Sequence, residues 1–298
     1  MEFLKIVKRR SFLSEVVYIS LNVALAIALM VIVRVTGSLL PAFGLVLLSK
    51  WRVLAVRPRY WFANIQGDLV SLIVSISYVV LLYSFNIADI SSFTVLMSQI
   101  FLVVLYIVWL IFLKPQSKRK YVAMQAGIAL FAGITAIYTM AYGWDASPVI
   151  ILVWLVGYAT ARHVLNTYDE ETHVLLLSLV WGFVLAEIGW LAYHWTIAYQ
   201  IPILGKLLIP QVSIIMLSLG FLVYKSYNLY FHFQKIRIGD IFLPLTFVIN
   251  IIGVLVIWFN NPLDTNIGVI SLLITLGIVS AVEGVIYFLI RQKFFSKK

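Results

Sequence analysis

Long apolar runs separated by short polar ones dominate the chain, and neither the alternation of a strand nor the single apolar stripe of a soluble helix prevails. A helix crossing a hydrocarbon core of roughly 30 Å needs about 20 mostly apolar residues. Ten stretches have that character: 13–35, 38–56, 68–87, 91–113, 121–142, 148–166, 173–197, 207–229, 240–259 and 267–290. The second is interrupted by Pro41 and Gly44 and polarised at its end by Lys50, Trp51 and Arg52, so a tilted span and a re-entrant segment are both compatible with it. The others end in charge clusters or in turn sequences such as Tyr142-Gly143-Trp144-Asp145 and Asn260-Asn261-Pro262.

Composition agrees with this pattern. Of 298 residues, 63% are hydrophobic and 11% charged, against about 25% charged in an ordinary soluble domain. Such a chain cannot clothe a water-facing surface, so the expected fold is an all-α, polytopic transmembrane helix bundle of about ten spans. It forms one integral membrane domain over 1–298, and a 5+5 division into halves 1–146 and 147–298 would place the halves in opposite orientations, as in inverted-repeat transporters. No repeat in the sequence accompanies that count.

The net charge of +10 is informative through its placement. With a cytoplasmic N-terminus and ten crossings, one side receives Lys5, Lys8, Arg9, Arg10, Lys50, Arg52, Arg57, Arg59, Lys114, Lys118, Arg119, Lys120, Arg162, Lys225, Lys235, Arg237, Arg291, Lys293, Lys297 and Lys298. Only Arg34 and Lys206 fall on the other side. The asymmetry follows the positive-inside rule and predicts both termini in the cytoplasm, with no role for nucleic acid. The basic N-terminus and its apolar run are read as a retained first helix, not a cleaved signal. Cysteine is absent, which excludes disulfides and thiolate chemistry. Trp51, Trp61, Trp144, Trp195 and Trp258 lie near span ends, where an amphipathic indole is favoured.

Few groups within the spans can carry chemistry. Glu187 lies near the middle of stretch 173–197, where a carboxylate is tolerated when it faces a cavity or the bundle interior, or is protonated. Trp190, Leu191 and His194 follow at spacings of three, four and seven, on the same helix face, so a polar path would run outward from Glu187 to His194. The alternative is a protonated Glu187 bonded to a neighbouring helix and a His194 that snorkels. Glu283 lies in the last span near the Ser280/Gly284 pair, a spacing that permits close helix contact. Asn250, Gln99 and Asn22 are amides within spans and are expected to bond between helices. Glu187, His194, Asn250 and Glu283 are the candidate substrate or proton path.

The segment from Lys50 to Asp68 combines cations and aromatics. Lys50, Arg52, Arg57 and Arg59 suit anionic lipid headgroups, and Asp68 is placed to cap the third span. A phosphate-bearing ligand or a protein partner is the other reading of the same cations. The loop Lys114–Lys120 reads as a topology determinant. Arg162, His163, Asp169, Glu170, Glu171 and His173 suit a solvated cap on the next helix better than a metal site, since no ligand spacing is present. Walker, HExxH, GxSxG and Asp-rich diphosphate motifs are missing, and no metal or cofactor is expected.

Along Lys50-Trp51-Arg52-Val53-Leu54-Ala55-Val56-Arg57-Pro58-Arg59-Tyr60-Trp61, running into the third span, the chain resembles multi-pass membrane proteins of candidate-phylum (Patescibacteria-type) bacteria. That resemblance covers about a tenth of the chain and implies a bacterial cytoplasmic membrane without a particular activity. In length and span number the chain is also similar to drug/metabolite (EamA-type) transporters, with no shared residue motif. The expected function is transporter- or flippase-like movement of a small or lipidic solute with an intramembrane carboxylate. A non-catalytic scaffold holding anionic lipid or a partner complex is the alternative, and an intramembrane lipid-modifying enzyme a third.

Overall fold

The computed structural model describes residues 12–258 apart from 56, 88–90, 142, 196–197, 201–207 and 236–237. Its residues divide into two compact units, one ending at Pro210 and the other beginning at Gln211.

In the first unit, α1 (Phe12–Thr36) is followed by two short helices, α2 (Leu40–Ser49) and α3 (Trp51–Leu54), and by a 3-10 turn at Pro58–Tyr60 that leads into α4 (Trp61–Ile87). Next come α5 (Ser92–Val108), prolonged by a π-helical turn at Trp109–Leu113, then α6 (Arg119–Met140), α7 (Ala146–Leu165) and α8 (Val174–His194). A three-residue antiparallel pair, β1 (Ala198–Gln200) with β2 (Leu208–Pro210), closes the unit. The second unit contains α9 (Gln211–Phe233) and α10 (Ile238–Trp258). These two pack as a hairpin with Phe221 edge-on to Phe247 at 6.4 Å.

Among the described residues, seven helical segments are long and apolar enough to cross a membrane: Val16–Thr36, Pro58–Ile87, Ser92–Leu113, Arg119–Met140, Ala146–Leu165, Val174–His194 and Gln211–Phe233. Two further expected spans are shorter apolar helices, Leu40–Ser49 in stretch 38–56 and Gly239–Leu255 in stretch 240–259. The tenth stretch, 267–290, and both termini lie outside the described residues.

Hydrogen bonds across the first unit fix the helix directions. Tyr78 Oη donates to the carbonyl of Ala26 at 3.0 Å and Asn86 Nδ2 to that of Val33 at 2.9 Å, so α1 and α4 run parallel. The chain between them must therefore return from one end of the bundle to the other. At 1.5 Å per residue the ten residues of α2 cover only about 15 Å. The loop 37–39 and the reach of the Lys50 side chain complete the return, bringing Lys50 to Asp68 on α4. Pro41 in the first turn starts α2 after Leu39, which offers no side-chain cap, and the backbone N–H of Lys50 closes it on the Leu47 carbonyl.

From α4 onward neighbours alternate in direction. Tyr106 meets Ser75 while Gln99 meets Asn86, which makes α5 antiparallel to α4. The Gly133 position lies against Val156, and Gln125 bonds His163, which makes α6 antiparallel to α7. The closest packing is between α7 and α8, where Gly157 faces Gly182 and Leu185. Small residues allow this approach, which in lipid must be driven by contact and not by exclusion of water.

Candidate functional site

The described cations of the first unit that bond across the fold sort to its two ends. Lys50, Lys114 and Arg119 share the end where α4 begins, together with Arg162, which bonds Tyr158 in its own helix α7 where Tyr158 meets Gln66 of α4, and Arg34 lies at the other. Arg57 and Arg59 precede α4 and are exposed beyond that first end. Trp51, Tyr60, Trp61 and Phe62 are exposed beside them.

Lys50 is set apart from those arginines. Its side chain is 13% exposed, and its Nζ lies 2.7 Å from Asp68 Oδ2 and 2.5 Å from Ser71 Oγ. Asp68 is therefore not the cap of its helix: α4 starts seven residues earlier, at Trp61, and Asp68 serves as an ion-pair partner in its second turn. The aromatic run Tyr60-Trp61-Phe62 extends the helix outward because nothing in it breaks helical geometry after Pro58. The side chain of Arg52 lies outside the described residues.

Asp68 heads a polar face of α4. Ser71, Ser75, Tyr78 and Asn86 follow it, and the spacings of three, seven, ten and eighteen return to one side of a helix. Ser71, Ser75 and Tyr78 are buried, although all lie in an otherwise apolar span. Each polar group has a partner, as burial in hydrocarbon requires. Ser75 Oγ donates to the carbonyl of Ser71 at 2.8 Å and accepts from Tyr106 Oη at 2.9 Å. The rings of Tyr106 and Tyr78 stack with centroids 4.1 Å apart. From Asp68 to Asn86 the face extends about 27 Å by helical rise, close to the thickness of a hydrocarbon core.

At the far end Gln99 is fully buried. Its Nε2 donates to Asn86 Oδ1 at 2.8 Å and to the Leu82 carbonyl at 3.2 Å, and its Oε1 accepts from Arg34 Nη1 at 3.3 Å. Gln99 thus ties α1, α4 and α5 together, as expected for an amide inside the bundle. Asn22 differs: its Nδ2 donates to the carbonyl of Tyr18, one turn back in its own helix, so this bond is not interhelical.

Lys114 follows the π turn. Its N–H donates to the carbonyl of Trp109 at 2.9 Å, a bond across five residues that places one more residue in the turn than an α-helix would. Its ammonium lies beside Lys50 and Asp68. Burial first, and then the adjacent Lys50 charge, push it down to about 8 from 10.5, with Asp68 opposing the shift. Lys114 is thus more than the marker of orientation that its loop suggested.

The polar residues between α6 and α7 serve structure. Gln125 Nε2 donates to the carbonyls of Leu113 and Gln116 at 2.6 and 2.9 Å, fixing the loop that follows Lys114. Its Oε1 pairs with His163 Nε2 at 2.8 Å. Arg119 Nη2 donates to the Thr167 carbonyl and stacks 4.1 Å over Tyr168. Glu171 accepts from the N–H of His173 at 2.8 Å just before α8, whose N-cap residue His173 makes no side-chain capping bond. Among the described residues, no three histidine or carboxylate side chains converge on one point.

The proposed path residues are not brought together within either unit. Glu187 and His194 lie with Trp190 and Leu191 on one face of α8, as their spacing predicts, and that face is exposed. His194 touches the rings of Trp190 and Tyr193 edge-on, with centroids 5.3 and 5.1 Å away. In α8, which ends at His194, Glu187 stands three residues beyond the helix midpoint and about 10 Å from the C-terminal end. Asn250 is half-buried on α10 in the second unit, and Glu283 lies outside the described residues. The structure instead singles out the polar face of α4, whose spacing was present in the sequence but is carried by residues short and weakly polar enough to pass as part of an apolar span.

The chain matches no known protein family, no curated protein and no solved structure.

Proposed function

We propose that the chain is a multi-pass protein of the cell membrane, with both termini cytoplasmic, that moves a small or lipidic solute across the bilayer along the polar face of α4. One observation carries this reading: a set of hydrogen-bonding groups on one face of α4, buried at Ser71, Ser75 and Tyr78 and half-buried at its ends Asp68 and Asn86, which stand about 27 Å apart, with an ion pair at one end and Arg34 with Gln99 at the other. A purely structural bundle has no need of so many polar groups, since each interhelical bond contributes only about 0.6–2 kcal/mol. Asp68 takes the part of the intramembrane carboxylate. Its bond to Lys50 closes the path at the cation-rich end, and an anionic solute that takes the place of Asp68 on Lys50 opens it.

Reconstitution tests the proposal. Liposomes containing the chain and a headgroup-accessible fluorescent phosphatidylglycerol, or loaded separately with labelled phosphate and carboxylate solutes, are followed for exchange across the bilayer. Movement of at least one probe, slowed at least tenfold by Asp68→Asn, is the expected result. Failure of every probe to move, or movement unaffected by Asp68→Asn, overturns the assignment.

A membrane scaffold is the second reading, favoured by exposed Arg57 and Arg59 among exposed Trp51, Tyr60, Trp61 and Phe62. These side chains suit the headgroup layer beside anionic lipid. Under that reading the chain retains a partner or lipid through purification and moves no probe.

A further inference from the structure

We propose that Lys50 and Lys114, with the Ser71 hydroxyl, form a binding site for one phosphate group, and that Asp68 occupies this site as an internal stand-in when the phosphate is absent. The inference rests on the transport reading and names the chemistry of the solute at its entry.

The charges are unbalanced. Two ammoniums face one carboxylate in a half-buried place at the end of the bundle. Like charges held together out of water repel strongly, and the site has no second acid beside Lys50 and Lys114 among the groups that act on Lys114. Burial first, and then the neighbouring Lys50 charge, suppress the proton affinity of Lys114. An added anion removes the imbalance. Lysine ammoniums serve as point charges for phosphate, and the hydroxyl of Ser71, which already accepts from Lys50, has a proton to donate.

The backbone supports the placement. A π turn inserts one extra residue at the end of α5 and so rotates Lys114 relative to a continuous α-helix, and such turns are frequent at functional sites. Trp109, stacked one turn above Lys114 by the bond between their backbones, is 3% exposed, and its indole N–H has no acceptor among the described residues. Lys114 directly follows the span Ser92–Leu113, which sets the site at the depth of lipid headgroups and also within reach of a dissolved ion.

Phosphate chemistry has two sources here, a lipid headgroup and a free ion. The full chain in detergent micelles is titrated with inorganic phosphate, with dioctanoyl phosphatidic acid, and with dioctanoylglycerol, which lacks the phosphate. Saturable binding of at least one phosphate-bearing probe is expected, weakened at least tenfold by Lys114→Gln and unchanged by Lys118→Gln, an exposed neighbour in the same loop. Asp68→Asn removes the competing carboxylate and is expected to tighten binding severalfold, an effect that loss of fold cannot mimic.

Binding of inorganic phosphate identifies the free ion as a sufficient ligand. Binding of phosphatidic acid alone identifies the headgroup. The proposal is overturned if neither phosphate probe binds, if dioctanoylglycerol binds as well as phosphatidic acid, or if Lys114→Gln and Asp68→Asn both bind as the parent does. A chain that binds phosphate through Lys114 and moves no solute keeps the site and loses the transport reading. One that moves solute without binding phosphate loses the site alone.

Discussion

Gly182 lies so close to Trp154 that a Cβ at position 182 would stand 3.1 Å from the indole and from the Trp154 carbonyl oxygen. The carbonyl belongs to the backbone of α7 and cannot turn aside, so any side chain at 182 separates the two helices. Overpacking of this kind costs about 1–3 kcal/mol. Gly182→Leu is expected to lower the midpoint of thermal unfolding of the solubilised chain clearly, and Gly182→Ala by less. Unchanged melting of the leucine variant would show that α7 and α8 do not pack this closely.

Gln99 and Asn22 are both amides within apolar helices, yet they should respond differently to replacement. Gln99→Leu removes, at a fully buried position, the bonds to the Asn86 side-chain oxygen, the Leu82 carbonyl and Arg34, while Asn86 keeps its bond to the Val33 carbonyl, a loss of about 1–3 kcal/mol. Asn22→Leu removes only a bond to the preceding turn of its own helix and should alter stability little. Thermal melts of the two variants in one detergent give the comparison, and equal effects would contradict the network.

Glu187 offers a third contrast. It is exposed on α8 among Phe183, Val184, Trp190 and Leu191, and no hydrogen bond is formed to its carboxylate among the described residues. A charged side chain toward the centre of a membrane helix costs about 2.5–3.5 kcal/mol on the insertion scale. Glu187→Leu is therefore expected to preserve the fold and to raise or maintain the melting midpoint. A marked fall would show that the carboxylate has a partner which this face does not display.

These contrasts mark what the residues alone disclose. Seven of the ten expected spans were legible because about 20 apolar residues in a helix leave few alternatives, although the segment Pro58–Ile87 begins ten residues before the predicted start at 68. The shared helix face of Glu187 and His194 was legible for the same reason, since it depends only on the period of 3.6. What that face looks toward was not, because the sequence does not encode neighbours in a form that spacing can read. Asp68 was misplaced as a cap because the aromatic residues before it resemble an interfacial loop, whereas they prolong the helix by two turns. Its true partner, Lys50, lies eighteen residues earlier and is brought back by a helix too short to count as a span. The π turn that sets Lys114 leaves no recognisable trace in Trp109–Leu113, which reads as ordinary apolar helix.

The altered acidity of Lys114 provides a test that needs no ligand. An ordinary lysine is protonated below about pH 10.5, whereas Lys114 in the folded chain loses its proton near 8 because burial and Lys50 disfavour the charge. The charged groups facing it are Lys50 at the end of α2 and Asp68 on α4, with Tyr106 on α5 adjoining Asp68. Lowered proton affinity in the folded state means that the unfolded chain binds more protons between pH 8 and 10.5, so this group's contribution to stability improves as pH rises through that window and is lost as pH falls through it. Lys114→Met should abolish that part of the pH dependence. Only the neutral amine reacts with an acylating reagent, so Lys114 in the folded chain should label to half its maximal rate near pH 8, while in the detergent-unfolded chain the same residue should require a pH near 10.5. Inorganic phosphate, if it occupies the site, raises the folded value and shifts the labelling curve upward; identical curves in the folded and unfolded chain would show that Lys114 does not share a buried site with Lys50.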